Sequence, residues 1–251
     1  MKTLARTASA VSAAVVSLSL LTLSPVCAAT ATFVTPTGSS TGGGPVSASA
    51  SFTTSDTNGG TISVTLQNLQ ANITDVAQAL SDLFITYSGS NLTGGTVSGT
   101  GQAITVNSNG TTTLGSTINA GWVFTNQGSN SLLLDVLAGP GHAGPANTII
   151  GPPGPGGVYT NANGSIAGNG PHNPFLNQTA SFTISLAGIT ANTLITDATF
   201  SFGTTAGVNV PGVPGTSPVP IPGALLLFGS GLAGLGLLGA HKRKKPAALA
   251  A

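Results

Sequence analysis

Thr61-Ile62-Ser63-Val64-Thr65-Leu66 alternates a hydroxyl with an apolar side chain at every step. Successive side chains of an extended strand point to opposite faces, so this hexapeptide buries one face and presents hydroxyls on the other. The pattern recurs at Val46-Ser47-Ala48-Ser49-Ala50-Ser51-Phe52, at Ser181-Phe182-Thr183-Ile184-Ser185-Leu186 and at Thr199-Phe200-Ser201-Phe202. A helix could not use it, because its buried stripe follows a longer period. A sheet with one wet face can use it, and must then lay its apolar face on a second layer. Shorter candidate strands are Phe84 to Tyr87, Ala103 to Val106, Gly121 to Thr125 and Ser131 to Leu137. Asn58-Gly59-Gly60 is a turn sequence ahead of the clearest strand. The expected fold is therefore all-β: an antiparallel two-sheet sandwich over residues 46–210. Its core would contain Phe52, Ile62, Val64, Leu66, Trp122, Phe182, Ile184 and Phe200. One short helix is expected where Thr74 can cap and Asp75 fills the first turn, since Val76, Ala79, Leu80 and Leu83 then share a stripe.

Charge narrows what such a surface can do. The chain has no Glu, and its six Lys and Arg stand at the two ends: Lys2, Arg6, Lys242, Arg243, Lys244 and Lys245. Between them lie five acids, Asp56, Asp75, Asp82, Asp135 and Asp197. The middle of the chain is thus acidic, with no Lys or Arg to neutralise phosphates, which excludes a nucleic-acid surface.

Ala138 to Phe175 interrupts the alternation with seven prolines and many glycines. A loop of this length and composition is either functional or disordered. It contains His142, Tyr159 and His172, which makes it the place to look for a ligand. A hydrolase needs a nucleophile, a base and an orienting acid within reach. The two histidines sit in no recognisable motif, no G-x-S-x-G occurs, and the scattered acids do not assemble a glycosidase pair. His142 and His172 are 30 residues apart with no neighbouring carboxylate, so neither a metal-ligand set nor a cofactor site is read. Asp56-Thr57-Asn58-Gly59 lacks the acidic spacing of a calcium loop and reads as a turn. Asp75 and Asp82 are expected on a solvated helix surface. The body is expected to be non-enzymatic.

Both ends read as processing signals. Residues 1–28 have a positive start at Lys2 and Arg6, an apolar stretch from Ala8 to Leu23, and Val26-Cys27-Ala28 ahead of Ala29. This is the pattern of a secretory signal peptide cut between Ala28 and Ala29. The only cysteine, Cys27, would leave with it. Residues 29–45 read as a Ser/Thr/Gly-rich linker. Residues 211–222 are Pro-rich, which holds them extended and short of donor N–H groups. Residues 223–240 form an 18-residue run without charge. As a helix this run is about 27 Å long, close to the roughly 30 Å of a bilayer core. Residues 241–251 hold the basic cluster, which the positive-inside rule keeps cytoplasmic.

Val219-Pro220-Ile221-Pro222-Gly223, the Gly/Leu-rich run and the cluster Lys242-Arg243-Lys244-Lys245 together resemble the PEP-CTERM sorting signal of exported bacterial proteins, in its V-P-hydrophobic-P form. Ile221 stands where that signal usually has Glu. In that family an exosortase, a membrane-embedded cysteine protease, recognises the proline motif, removes the helix and releases the body to the cell surface or matrix. The resemblance implies signal peptidase and an exosortase-type protease as partners, and an inner-membrane precursor that ends at the cell surface or outside the cell. It covers residues 219–251 and does not speak for the body. For the body the expectation is a structural or adhesive role, with exopolysaccharide as a ligand for its hydroxyl face. The alternative, a carbohydrate-binding module, needs Tyr87, Trp122 or Tyr159 exposed. Ice binding needs regular Thr-x-Thr ranks, which the linear sequence lacks, and a secreted hydrolase would have to recruit His142 and His172.

Overall fold

A computed structural model describes residues 28–215, apart from 90, 91, 93, 138 and 206. The expected signal peptide up to Cys27, the sorting motif at 219–223, the apolar run at 223–240 and the basic cluster at 242–245 lie outside the described residues. Among the described residues no helix is long and apolar enough to cross a membrane.

The described chain is mostly strand. In order come β1 (Thr30–Val34), β2 (Ser40–Thr41), β3 (Gly44–Pro45), β4 (Ala48–Ser55), β5 (Thr61–Asn68), β6 (Leu80–Tyr87), β7 (Thr96–Val106) and β8 (Thr112–Asn119). Then follow β9 (Val123–Asn126), β10 (Ser131–Asp135), β11 (Ile149–Ile150), β12 (Phe175–Ser185), β13 (Ile195–Phe202), β14 (Asn209–Pro211) and β15 (Val213–Pro214). β2 and β3 make a small hairpin, and the others belong to one large sheet. That sheet folds back on itself. One layer runs β14-β13-β6-β10-β9, the other β8-β7-β12-β5-β4-β1-β15, and β11 bonds to β6 on one side and to β12 on the other.

The alternation read from the sequence closes the two layers on each other. Leu83, Ile85 and Tyr87 of β6, Leu132 and Leu134 of β10, and Ala198, Phe200 and Phe202 of β13 come from one layer. They share a single buried cluster with Phe52 of β4, Ile62, Val64 and Leu66 of β5, and Phe182 and Ile184 of β12. Each large side chain buried in this way contributes roughly 1.5–3 kcal/mol. Trp122 belongs to the same core: its ring lies 5.2 Å from Phe182, and Nε1 donates to the Asn147 carbonyl at 3.0 Å. Gly99 sits beneath Phe182, where a Cβ would stand 2.3 Å from the Phe182 ring, so the inner face of β7 is cut back to admit that ring.

The sheet is mixed, not purely antiparallel, because β11 runs parallel to β12. A parallel pair needs a long crossover, and the Pro/Gly-rich chain between β11 and β12 supplies it. That chain has a small core of its own, in which Tyr159, Ile166 and Ile150 pack with Ile73, Val76, Ile104, Val106 and Phe175. The helix expected from Thr74 is a single 3-10 turn, Val76–Gln78, capped by Asp75 in a reciprocal box with Gln78. From Leu80 the chain is already β6. A helix of about three turns is marginal alone, whereas β6 is hydrogen-bonded to β13 on one side and to β10 and β11 on the other. Asp82 consequently lies in the middle of a sheet, 7 % exposed, and not on a solvated helix. Residues 29–45, expected as linker, contain β1, which pairs with β4 through five residues, and the β2–β3 hairpin. Ala29 is tied into the sheet: its N–H donates to Ala191 at 2.9 Å, and its carbonyl accepts from Thr54 N–H at 3.0 Å.

Candidate functional site

The strand registers assemble hydroxyls into rows. Thr100, Ser181, Thr65, Ser51 and Thr32 stand opposite one another across β7, β12, β5, β4 and β1, with Asn119 extending the row onto β8. Two residues along, Ser98, Thr183, Ser63, Thr53 and Thr30 repeat it. Thr96, Ser185, Thr61 and Ser55 begin a third. With neighbouring strands about 4.8 Å apart and same-face residues about 6.7 Å apart, a five-strand row spans roughly 20 Å. Thr32 Oγ1 and Ser51 Oγ bond at 3.2 Å within the grid. Gln67 stiffens one margin through Ser49 and Thr179. Among the described residues the six exposed hydroxyls at its centre, Ser63, Thr65, Ser98, Thr100, Ser181 and Thr183, have no side-chain partner. They are left to solvent or to a ligand. The buried residues between them, such as Val64 and Phe182, fix the strands in the core, so the spacing of the grid is built in.

The outer face of the other layer carries the second polar group. Asn209, Ser201, Asp82 and Asp135 lie directly across from one another on β14, β13, β6 and β10. Like charges placed opposite on neighbouring strands repel. Burial pushes the Asp82 carboxyl up from an ordinary 3.8 to about 6, the Ser201 hydroxyl partly opposes the shift, and Asp135 adds to it. The Ser201 hydroxyl itself donates to Asn209 Oδ1. Asp135 Oδ1 accepts from Leu137 N–H at 2.7 Å, and its Oδ2 stands 3.5 Å from His142 Nε2. A cleft of about 350 Å³ opens here, lined by Asp82, Phe84, Gln127, Leu133, Ser201 and Asn209 among others.

The loop residues singled out in the sequence do not converge. The His142 side chain is packed against Asp135. His172 Nδ1 lies 2.5 Å from the Ser165 carbonyl, with its ring edge-on to Phe175. Tyr159 is buried, its hydroxyl donates to the Gly151 carbonyl at 2.6 Å, and burial pushes its phenol up. Each of the three braces a different part of the loop. Tyr87, Trp122 and Tyr159 are all buried, so none presents a face on which a sugar ring could stack. Among the described residues no group of three or more His, Cys, Asp or Glu could hold a metal ion.

The rows escaped sequence reading for a definite reason. Alternation within a strand is local, but a row needs the register of strands as distant as β1 and β12. The regular ranks missing along the chain are supplied across it. The Asp82–Asp135 pair was hidden by the helical reading of residues 74–83.

No family model matches the chain, and neither a curated protein nor a solved structure is significantly similar to it.

Proposed function

We propose that this chain is an exported bacterial protein of the cell surface or extracellular matrix, delivered by its C-terminal sorting signal, whose Ser/Thr face adheres to a neutral exopolysaccharide and which performs no catalysis. The observation that carries the adhesive part is the registered hydroxyl grid with its unpartnered centre. One hydroxyl bond exchanged with water yields only about 0.5–1.5 kcal/mol. Useful affinity therefore needs many bonds in register, which a polymer supplies and a free sugar does not. The acidic body, without Lys or Arg between Arg6 and Lys242, disfavours polyanions. Delivery rests on the resemblance of residues 219–251.

Replacing Thr65, Thr100 and Thr183 together with valine keeps shape and strand propensity while removing three central hydroxyls. Retention on an insoluble neutral glucan is expected to fall at least about tenfold with unchanged thermal stability, three bonds at about 1 kcal/mol each setting the scale. Undiminished retention would dismiss the grid as the adhesive face. The delivery half is tested separately by the intact mass of the mature protein in fractionated cells and medium. New ends near Ala29 and near residues 219–223 are expected, and deletion of Lys242 to Lys245 should impair maturation. Normal processing of that deletion speaks against sorting by this tail.

The two-dimensional rows also favour a second reading, in which the grid orders water as an ice-binding face. Inhibition of ice recrystallisation by the native chain, lost in the triple valine variant, would select it.

A further inference from the structure

We propose that Asp82 and Asp135 bind a hard divalent cation, Ca²⁺ above all, on the outer face of the β13-β6-β10 layer, where Asp82 lines the cleft and Asp135 stands across from it on β10. The site lies on the layer opposite the hydroxyl grid and does not depend on the adhesive reading. Two carboxylates stand directly across neighbouring strands, and their row continues with the oxygens of Ser201 and Asn209. Asp82 is nine-tenths buried and lines the cleft, yet among the described residues its Oδ1 finds no donor. A buried carboxylate oxygen left without a partner is costly unless something supplies positive charge.

That charge is not available from within the body. Residues 28–215 contain no Lys or Arg. His142 can carry positive charge, and among the described residues its ion-pair contact is with Asp135. The raised Asp82 carboxyl registers the same deficit. Directly opposed residues in an antiparallel pair have Cα atoms about 4.5–5.5 Å apart, which lets both carboxylates reach one ion at about 2.4 Å. Ca²⁺ takes six to eight oxygen ligands in flexible geometry, so the two aspartates, the neutral oxygens beside them and water from the cleft suit it. Mg²⁺ demands a tighter octahedron and gives up water reluctantly. A site with two carboxylates and an open side belongs with extracellular modules of about 0.1–1 mM affinity.

The test is the thermal midpoint of the full-length chain near neutral pH, in chelator, in millimolar CaCl₂ and in millimolar MgCl₂, alongside Asp82→Asn, Asp135→Asn and Asp197→Asn. The expected result is a rise of several degrees in Ca²⁺ and a smaller one in Mg²⁺. The rise should be kept by Asp197→Asn and lost in both other variants. Calorimetric titration of CaCl₂ into the native chain should give one saturable site, a readout that stands whatever either substitution does to folding. No calcium-dependent rise and no titration heat in the native chain would overturn the proposal. So would an equal response in Asp82→Asn, which would mean general screening of an acidic body.

Discussion

Alanine at position 151 is expected to destabilise the body by at least about 3 kcal/mol, a large share of the stability of an ordinary domain. Gly151 follows β11 directly, and the chain there passes against the end of β5. A Cβ at this position would lie 1.9 Å from the Gln70 carbonyl oxygen and 2.7 Å from its carbon. Both are backbone atoms, so no side chain can swing away. Relief requires β11 to part from Asn68 and from the Tyr159 hydroxyl that bonds the Gly151 carbonyl. Gly164→Ala, in the same Pro/Gly-rich loop, meets nothing within 4 Å and should change stability by less than about 0.5 kcal/mol. Denaturant titration followed by the fluorescence of Trp122, the only tryptophan, measures both. Equal effects at the two positions would mean that the loop does not pack as described.

Asn68→Leu should cost about 4 kcal/mol, although leucine has nearly the same size. Asn68 is 1 % exposed, and its amide makes three bonds to main chain. Nδ2 donates to the Gln78 carbonyl at 2.8 Å and to the Ile149 carbonyl at 2.9 Å, while Oδ1 accepts from Gln70 N–H at 3.0 Å. One side chain thus ties the end of β5 to the 3-10 turn and to β11. Leucine leaves those groups without partners, each at about 1–3 kcal/mol. Replacing exposed Leu69 with alanine is the reference, expected within about 0.5 kcal/mol. A midpoint for Asn68→Leu indistinguishable from that reference would remove Asn68 from the frame.

These two positions also show where the sequence was legible. β4, β5, the second half of β12 and β13 were written plainly, because one buried face forces apolar residues to alternate with hydroxyls. β8 carries no such imprint: most of Thr112–Asn119 is exposed, and Gly115 interrupts it. β1 buries little beyond Phe33, so it read as linker. The false helix arose because Val76, Ala79, Leu80 and Leu83 fit a helical stripe over a short window. The longer strand pattern Leu83, Ile85, Tyr87 and the cross-strand partners of β6 outweighed it. Asn68 and Gly151 gave no signal, since their roles come from contacts between segments far apart in the chain. The candidate site divides in the same way: hydroxyl content was visible, whereas rows, and the opposition of Asp82 to Asp135, depend on register.

The way the body ends has a mechanical consequence. β14 bonds to β13 of one layer and β15 to β1 of the other, with only Gly212 between them, and Gly215 N–H donates to Thr32 at 2.8 Å. A pull on the C-terminal side is therefore borne first by two very short ribbons at the rim. They would peel away one after the other, β15 from β1 and then β14 from β13, so a chain held from that side would lengthen by a few residues before β1 or β13 left the buried cluster.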